Sequence, residues 1–315
     1  MIGEGLYLLD GVDMYSTYGA AILKGSYNSL FAYPTAKEPL QNDWFEYDGL
    51  DVDLSERFFD PLSVNIQFVV VSRVGVADLV AKRDALNTVL RSAGYRDLYL
   101  SGMQTGLQLR YISSNGGDVG TVATNKQIYS LEFTATFSMD DPMQLFTIGT
   151  ERVFDSTFDD TFGASGRNFA MSLYKYFIPE TVFIDSVTLR DYGIAVRSFG
   201  GSALEVDNSK NPLYLTYERL TGAEADCSTV QMKRASKELK LALTIGADSA
   251  ATALNNYCSF FLALTAAEKR VLTSTLYGKS FDCYYASQSN LEMYGMRRES
   301  TYCFIDFEIT LKTIN

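Results

Sequence analysis

The sequence predicts an α+β, β-rich chain of two tandem modules, each an antiparallel β-sandwich or barrel with one packed α-helix. Three observations carry this reading. Short alternating or continuous apolar runs, bounded by Gly, Pro, Asn and Asp, read as strands along most of the chain. One segment in each half switches to helical spacing. The order of elements in the first half then returns in the second, at a nearly constant offset.

The return can be followed residue by residue. Tyr18-Gly-Ala-Ala-Ile-Leu23 recurs as Tyr192-Gly-Ile-Ala-Val-Arg197, and Val64-Asn-Ile-Gln-Phe-Val-Val70 as Leu239-Lys-Leu-Ala-Leu-Thr-Ile245. The amphipathic run Ala77–Leu90 corresponds to Ala250–Leu264. Gly106–Ser114 corresponds to Lys279–Ser287, and Tyr129–Phe137 to Cys303–Leu311. Five elements in one order and spacing point to tandem duplication. The predicted division is residues 1–140, a connection or arm at 141–181, and residues 182–315.

The elements follow in order. Leu6–Leu9 reads as a leading strand and Asp10-Gly11 as a turn. Val12–Phe31 is strand-like until Tyr33-Pro34 and Pro39 break it into a loop. Trp44–Tyr47 resumes a strand, and Leu50-Asp-Val-Asp-Leu54 alternates apolar with acidic residues. Val64–Val71 ends as a continuous apolar run, the mark of a central strand. From Val76 to Ala93 the apolar residues Leu79, Val80, Leu86, Val89 and Leu90 form one helical stripe, with Gly94 placed to end it. Strands follow at Asp97–Leu100, Leu107–Ser113 and Gln127–Met139. The second module repeats the plan from Val182, with a helix near Ser249–Leu264 and a polar helical turn at Thr265–Lys269.

Composition narrows the chemistry. The chain has 315 residues, enough for two cores. Its net charge of −11 opposes tight binding to nucleic-acid phosphates. There is no histidine, which removes the commonest general base and metal ligand. Cys227, Cys258, Cys283 and Cys303 all fall in the second half and form no Cys-x-x-Cys pair. They read as free buried thiols rather than a zinc site or disulfide framework. No run reaches membrane-helix length and no basic leader opens the chain, so synthesis in a reducing cytoplasm is expected.

No constellation reads as an active site, and no catalytic, cofactor or metal residue is assigned. Asp51 and Asp53 share a strand face, where a solvated surface is favoured over a carboxylate dyad. Asn115-Gly-Gly-Asp118 and Gly200-Gly201 lack the Gly-Lys-Ser/Thr ending of a phosphate loop and read as hairpin loops. Ala286–Asn290 sits at the place equivalent to Ser113–Gly117, which favours long hairpins. Met293–Glu299 mixes aromatic and basic residues and reads as an exposed loop. Phe154, Phe158 and Phe162, spaced by four among acidic residues, form a candidate inter-subunit arm, against the plainer reading of a linker.

Several stretches resemble a known family. Asp10-Gly-Val-Asp-Met-Tyr-Ser-Thr-Tyr-Gly19 is similar to the opening of siphophage distal tail proteins, members of the phage tail-tube fold. Trp44–Asp53 and Arg57–Phe68 resemble that family's turn and central strand. The resemblance covers about the first 130 residues and, more faintly, the second module, where many family members carry a different domain. It implies a tail-tube-like fold in both modules and a non-enzymatic ring at the distal end of a phage or prophage tail. Such a ring joins the tail tube protein to hub and receptor-binding proteins and lets DNA pass only as cargo. Six chains could form it, or three with pseudo-sixfold symmetry. The implied location is the virion tail, assembled in the host cytoplasm without membrane insertion.

Three other readings stand beside it. A tail tube protein with a duplicated module would form a trimeric, pseudo-hexameric ring. A carbohydrate-binding β-sandwich would use Trp44 and tyrosines to stack on sugars. A carboxylate hydrolase lacks a convincing acid/base pair.

Overall fold

In the computed structural model the described residues are 5–23, 25–44, 47–116, 119–123, 128–146, 182–199, 201–205, 210, 214–216, 223–225, 233–295 and 303–314. The first half contributes β1 (Tyr7–Leu9), β2 (Val12–Asp13), β3 (Ala20–Ile22), β4 (Gln41–Asn42), β5 (Asp51–Val52), β6 (Leu62–Ser72), β7 (Arg96–Leu100), β8 (Thr105–Asn115), β9 (Val119–Ala123) and β10 (Ile128–Met139). The second contributes β11 (Val182–Ile184), β12 (Val187–Thr188), β13 (Ile194–Ser198), β14 (Tyr214–Thr216), β15 (Ala223–Ala225), β16 (Glu238–Ala247), β17 (Arg270–Ser274), β18 (Lys279–Tyr294) and β19 (Cys303–Thr313).

Two large antiparallel sheets result, and the fold is α+β and β-rich. The first runs β2-β1-β7-β8-β10-β6-β3, with β9 also beside β10. The second runs β12-β11-β17-β18-β19-β16-β13. Replacing each strand of the first path by its counterpart in chain order gives the second. The small hairpins β4–β5 and β14–β15 lie in the connections leading to β6 and β16.

The apolar pattern sets each sheet's buried face. Along β19, Cys303, Ile305, Phe307, Ile309 and Leu311 alternate with half-exposed residues. In β6, Val64, Ile66, Phe68 and Val70 do the same, with Val69 also buried beside β3 and β10. Helix Val76–Leu90 buries Leu79, Leu86 and Leu90. Helix Ala250–Thr265 buries Ala253, Phe260 and Leu264 at the same spacing, and also Leu254, Tyr257, Cys258 and Phe261. Each fully buried Leu or Phe stabilises the fold by roughly 1.5–3 kcal/mol.

Local chemistry repeats as well. Asp10, at φ 51°, accepts hydrogen bonds from Arg96 Nη1 at 2.7 Å and the Asp97 N–H at 2.9 Å. Asp185, at φ 50°, accepts them from Arg270 Nη1 at 2.7 Å and the Val271 N–H at 2.8 Å. Gly19 and Gly193 end the following helical turns in the left-handed region, at φ 60° and 67°. A Cβ at Gly19 would sit 2.5 Å from the Val71 carbonyl, so glycine is required there.

The long helices and β6, β7, β8, β10, β16 and β19 fall where the sequence puts them, with ends shifted by small amounts. Other expectations are corrected. Val12–Phe31 is not strand throughout: Asp13 caps a short helix, Met14–Tyr18, by accepting the Tyr15 and Ser16 N–H groups. A 3₁₀ turn occupies Asn28–Phe31. Trp44 and Tyr47 lie outside strands. The Leu50–Leu54 strand shrinks to Asp51–Val52, because the Asp53 carboxylate takes the Ser55 N–H and turns the chain.

Of the expected hairpin loop Asn115–Asp118, Gly117 and Asp118 lie outside the described residues; the strands on either side, β8 and β9, both pair with β10. Ala286–Asn290, matched from sequence with Ser113–Gly117, lies within β18, where register shifts on both sides and φ 54° at Asn290 mark bulges. Gly201 opens a short helix to Leu204 rather than a hairpin. Met293 and Tyr294 complete β18, with Met293 buried. Only Thr265 of the expected Thr265–Lys269 turn is helical, because the chain turns extended at Ala266, ψ 152°, and Glu268 then enters the left-handed region at φ 73°.

Candidate functional site

The most developed contact in the molecule joins the two sheet units. The connection between β3 and β6 leaves its own sheet and crosses the second unit. Pro34 helps to hold the chain extended there, since proline disfavours helix in the residue before it. Tyr33 is the anchor. Its ring stacks on Tyr257 at 4.2 Å between centroids, tilts against Phe261 at 4.5 Å, and meets Phe307 edge-on at 5.6 Å. Phe146, which follows β10, packs on Phe261 at 4.2 Å. Aromatic pairs of this kind add roughly 0.5–1.5 kcal/mol each beyond the area they bury.

The polar ends of the rings are paired across the contact. Tyr33 Oη donates to the Tyr257 carbonyl at 2.6 Å, and Tyr257 Oη donates to the Phe31 carbonyl at 2.9 Å. Tyr285 Oη donates to the Pro34 carbonyl at 3.1 Å. Gln288 serves both sides, accepting the Tyr33 N–H at 2.6 Å and donating to Tyr257 Oη at 2.6 Å. The Ala36 N–H donates to the Ala286 carbonyl at 2.9 Å, a main-chain bond from the connection to β18. Burial pushes the Tyr33, Tyr257 and Tyr285 phenols far above their ordinary range.

The connection stays attached further along. Arg57 donates to the carbonyls of Leu264 at 3.2 Å and Glu268 at 2.9 Å, a cation at the C-terminal end of helix Ala250–Thr265. Burial, with Arg270 nearby, lowers the guanidinium's pKa from its usual value. Lys210 Nζ donates to the Trp44 carbonyl at 2.7 Å and pairs with Asp43. The Gly49 N–H reaches the Arg234 carbonyl at 2.9 Å, and the Leu50 N–H the Ile314 carbonyl at 2.6 Å. One unit's long connection is therefore seated against both the helix and the sheet of the other, which also pack directly on each other through Tyr257 and Phe307 at 5.2 Å.

The residues singled out from sequence fall elsewhere. Phe154, Phe158 and Phe162 lie outside the described residues, as does Cys227. Cys258, Cys283 and Cys303 are buried, and the Cys303 thiol donates to the Gly295 carbonyl at 3.0 Å. Asp53 is held below its ordinary pKa by hydrogen bonds from Ser55, which makes it a turn-forming carboxylate. Among the described residues no group of three or more His, Cys, Asp or Glu is placed to hold a metal, and no helix is long and apolar enough to cross a membrane. Trp44 and Tyr47, both exposed, line a 920 Å³ depression with Asp48, Asp51 and Lys269.

Sequence reasoning missed Tyr33, Arg57, Phe146, Tyr257 and Gln288 as partners. One signal was present: helix Ala250–Thr265 is apolar on more than the single stripe its own sheet can cover.

No family model and no curated protein matches the chain. Among solved structures, the crystal structure of the SPP1 Dit protein is similar to it. That protein is described as a paradigm of the hub adsorption apparatus in phages infecting Gram-positive hosts. The likeness is at 9% identity over 98% of each chain, with a TM-score of 0.32. A likeness this loose carries no argument about function.

Proposed function

We propose that the chain is a non-enzymatic structural protein of a phage or prophage tail, arising by internal duplication. It forms a ring at the distal end, joining the tail tube to the hub and receptor-binding parts around a channel for DNA. The observation that carries the reading is the repeated strand order joined by an inserted connection. Two equivalent units related head to tail present unlike surfaces at their two ends, which is what cyclic assembly requires. Ring closure also covers sheet edges that would otherwise invite aggregation. The resemblance of Asp10–Gly19, Trp44–Asp53 and Arg57–Phe68 to distal tail proteins supports a tail location for the ring. A net charge of −11 suits a wall that DNA must pass without adhering.

Light scattering after size exclusion, with negative-stain images, tests this reading. A closed oligomer with a central hole supports it. A monomer at every concentration removes it.

A second reading, carbohydrate binding, is favoured by the exposed Trp44 and Tyr47 beside Asp48 and Asp51. It predicts that Trp44→Ala abolishes binding to a glycan array without changing the mass in solution.

A further inference from the structure

The Tyr33 contact has a counterpart surface on the first unit, and that surface is open. The units align through Leu79, Leu86 and Leu90 with Ala253, Phe260 and Leu264 on the helices. They align through the strand pairs Arg96↔Leu109 and Arg270↔Cys283 on the sheets. In that alignment, which shifts the β8–β18 match by one residue from Gly106–Ser114 with Lys279–Ser287, Tyr257 and Phe261 become Arg83 and Asn87, Gln288 becomes Ser114, and Phe307 becomes Phe133. Those four first-unit residues all line one 450 Å³ groove between helix Val76–Leu90 and β8, beside Arg91 and Asn115. The surface that Tyr33 fills on the second unit is thus an unfilled groove on the first.

Two details show that the groove is unfinished. Asn87 Oδ1 is buried there without a hydrogen-bond partner, and a buried acceptor left unpaired is destabilising. β7 pairs with β8 only over Thr105–Leu109, so no described strand lies along that edge of β8 beyond Leu109. Ile112, the counterpart of Ala286, is exposed on that stretch, whereas Ala286 accepts the Ala36 N–H.

The chain itself identifies the occupant. The first unit docks through the connection at residues 23–61, between β3 and β6. The second unit has a connection of the same length in the same place, residues 199–237, between β13 and β16. We propose that the groove between helix Val76–Leu90 and β8 receives a second copy of this chain, presented through its second unit. This repeats between copies the docking seen within one, and it rests on the ring reading given above. The difference in chemistry fits the difference in timing. The contact within a chain is aromatic and permanent, while the groove carries Arg83, Asn87 and Arg91, polar enough to stay soluble before assembly. A head-to-tail contact of this kind closes into a ring or runs on as a filament.

The test uses the full-length chain. A photo-cross-linking amino acid at Asn115 is activated in a mixture of isotopically light and heavy copies, and the cross-linked peptides are read by mass spectrometry. Cross-links from one copy's Asn115 to residues 199–237 of another support the inference. In parallel, Asn87→Arg with Ser114→Arg fills the groove. It should raise the concentration for half-assembly about tenfold or more while leaving the melting temperature of the unassembled chain unchanged. Oligomers that persist in this variant, with cross-links to another surface, overturn the inference and leave the ring reading standing. A wild-type chain that never assembles overturns both.

Discussion

Tyr33 and Tyr257 exchange hydrogen bonds across the contact between the sheet units: each hydroxyl donates to a main-chain carbonyl on the other's side, while the two rings stack at 4.2 Å. Both phenols are buried, so each bond satisfies a donor that would otherwise be stranded. The arrangement ties the entry of one unit's connection to the helix of the other.

Tyr33→Phe keeps the ring and removes one donor, leaving the Tyr257 carbonyl without that bond. It should cost about 1–3 kcal/mol in denaturant unfolding. Tyr33→Ala also opens a cavity among Tyr257, Phe261 and Phe307 and should cost about 3–5 kcal/mol. Hydrogen exchange should then rise at Ala36 and in helix Ala250–Thr265 before it rises at β7. Uniform exchange across both units would contradict the assignment of Tyr33 as anchor.

Alkaline pH should unfold the chain through these same phenols. The folded pKa values of Tyr33, Tyr257 and Tyr285 are raised above the unfolded value of about 10. Their contribution is therefore complete below about pH 10 and is lost as pH climbs above it, because the unfolded chain releases its phenolic protons first. Urea midpoints should hold level from neutral pH to about 9 and fall steeply above 10. Tyr33→Phe should make that fall shallower; an identical slope would argue against the buried phenols as its cause.

The sheets were legible from sequence because their signals are local. Alternation in Cys303–Leu311 and the single stripe of Val76–Leu90 need no distant partner to be read. Val12–Phe31 was misread because its apolar content is strand-like. What divides it is Asp13 accepting two N–H groups and Gly19 approaching the Val71 carbonyl, a cap and a close contact that hydropathy does not register. The Tyr33 contact was hidden for another reason: its hydrogen-bond partners Tyr257 and Gln288 are more than two hundred residues away in sequence, and Tyr33-Pro34 looks like any loop break. The extra apolar face of helix Ala250–Thr265 was the one clue.

Gly19 and Gly193 hold equivalent positions but should not respond equally to alanine. Both pay for positive φ, roughly 1–2 kcal/mol. At Gly19 the new Cβ also meets backbone, the Val71 carbonyl at 2.5 Å, whereas at Gly193 it meets the movable Asn256 side chain at 2.9 Å. Thermal melts should therefore rank Gly19→Ala as the more damaging; the reverse order would contradict the geometry.

The described thiols should be silent in the folded protein. Burial pushes Cys258 and Cys283 up to about 12, and Cys303 is buried in β19. In a Cys227→Ser background, an aromatic disulfide reagent should label nothing under native conditions and all three thiols once urea unfolds the chain. Rapid native labelling of Cys258 would mean that the contact beneath Tyr33 opens readily.

Native mass spectrometry of the purified chain, over a range of concentrations, tests ring formation most directly. The predicted result is one closed species at three or six times the 35.1 kDa chain mass, with no ladder above it. Three copies would favour a ring built from both units in one layer, and six a ring with one unit of each chain inside. A monomer at every concentration, or an open series of masses without a preferred number, would contradict the ring.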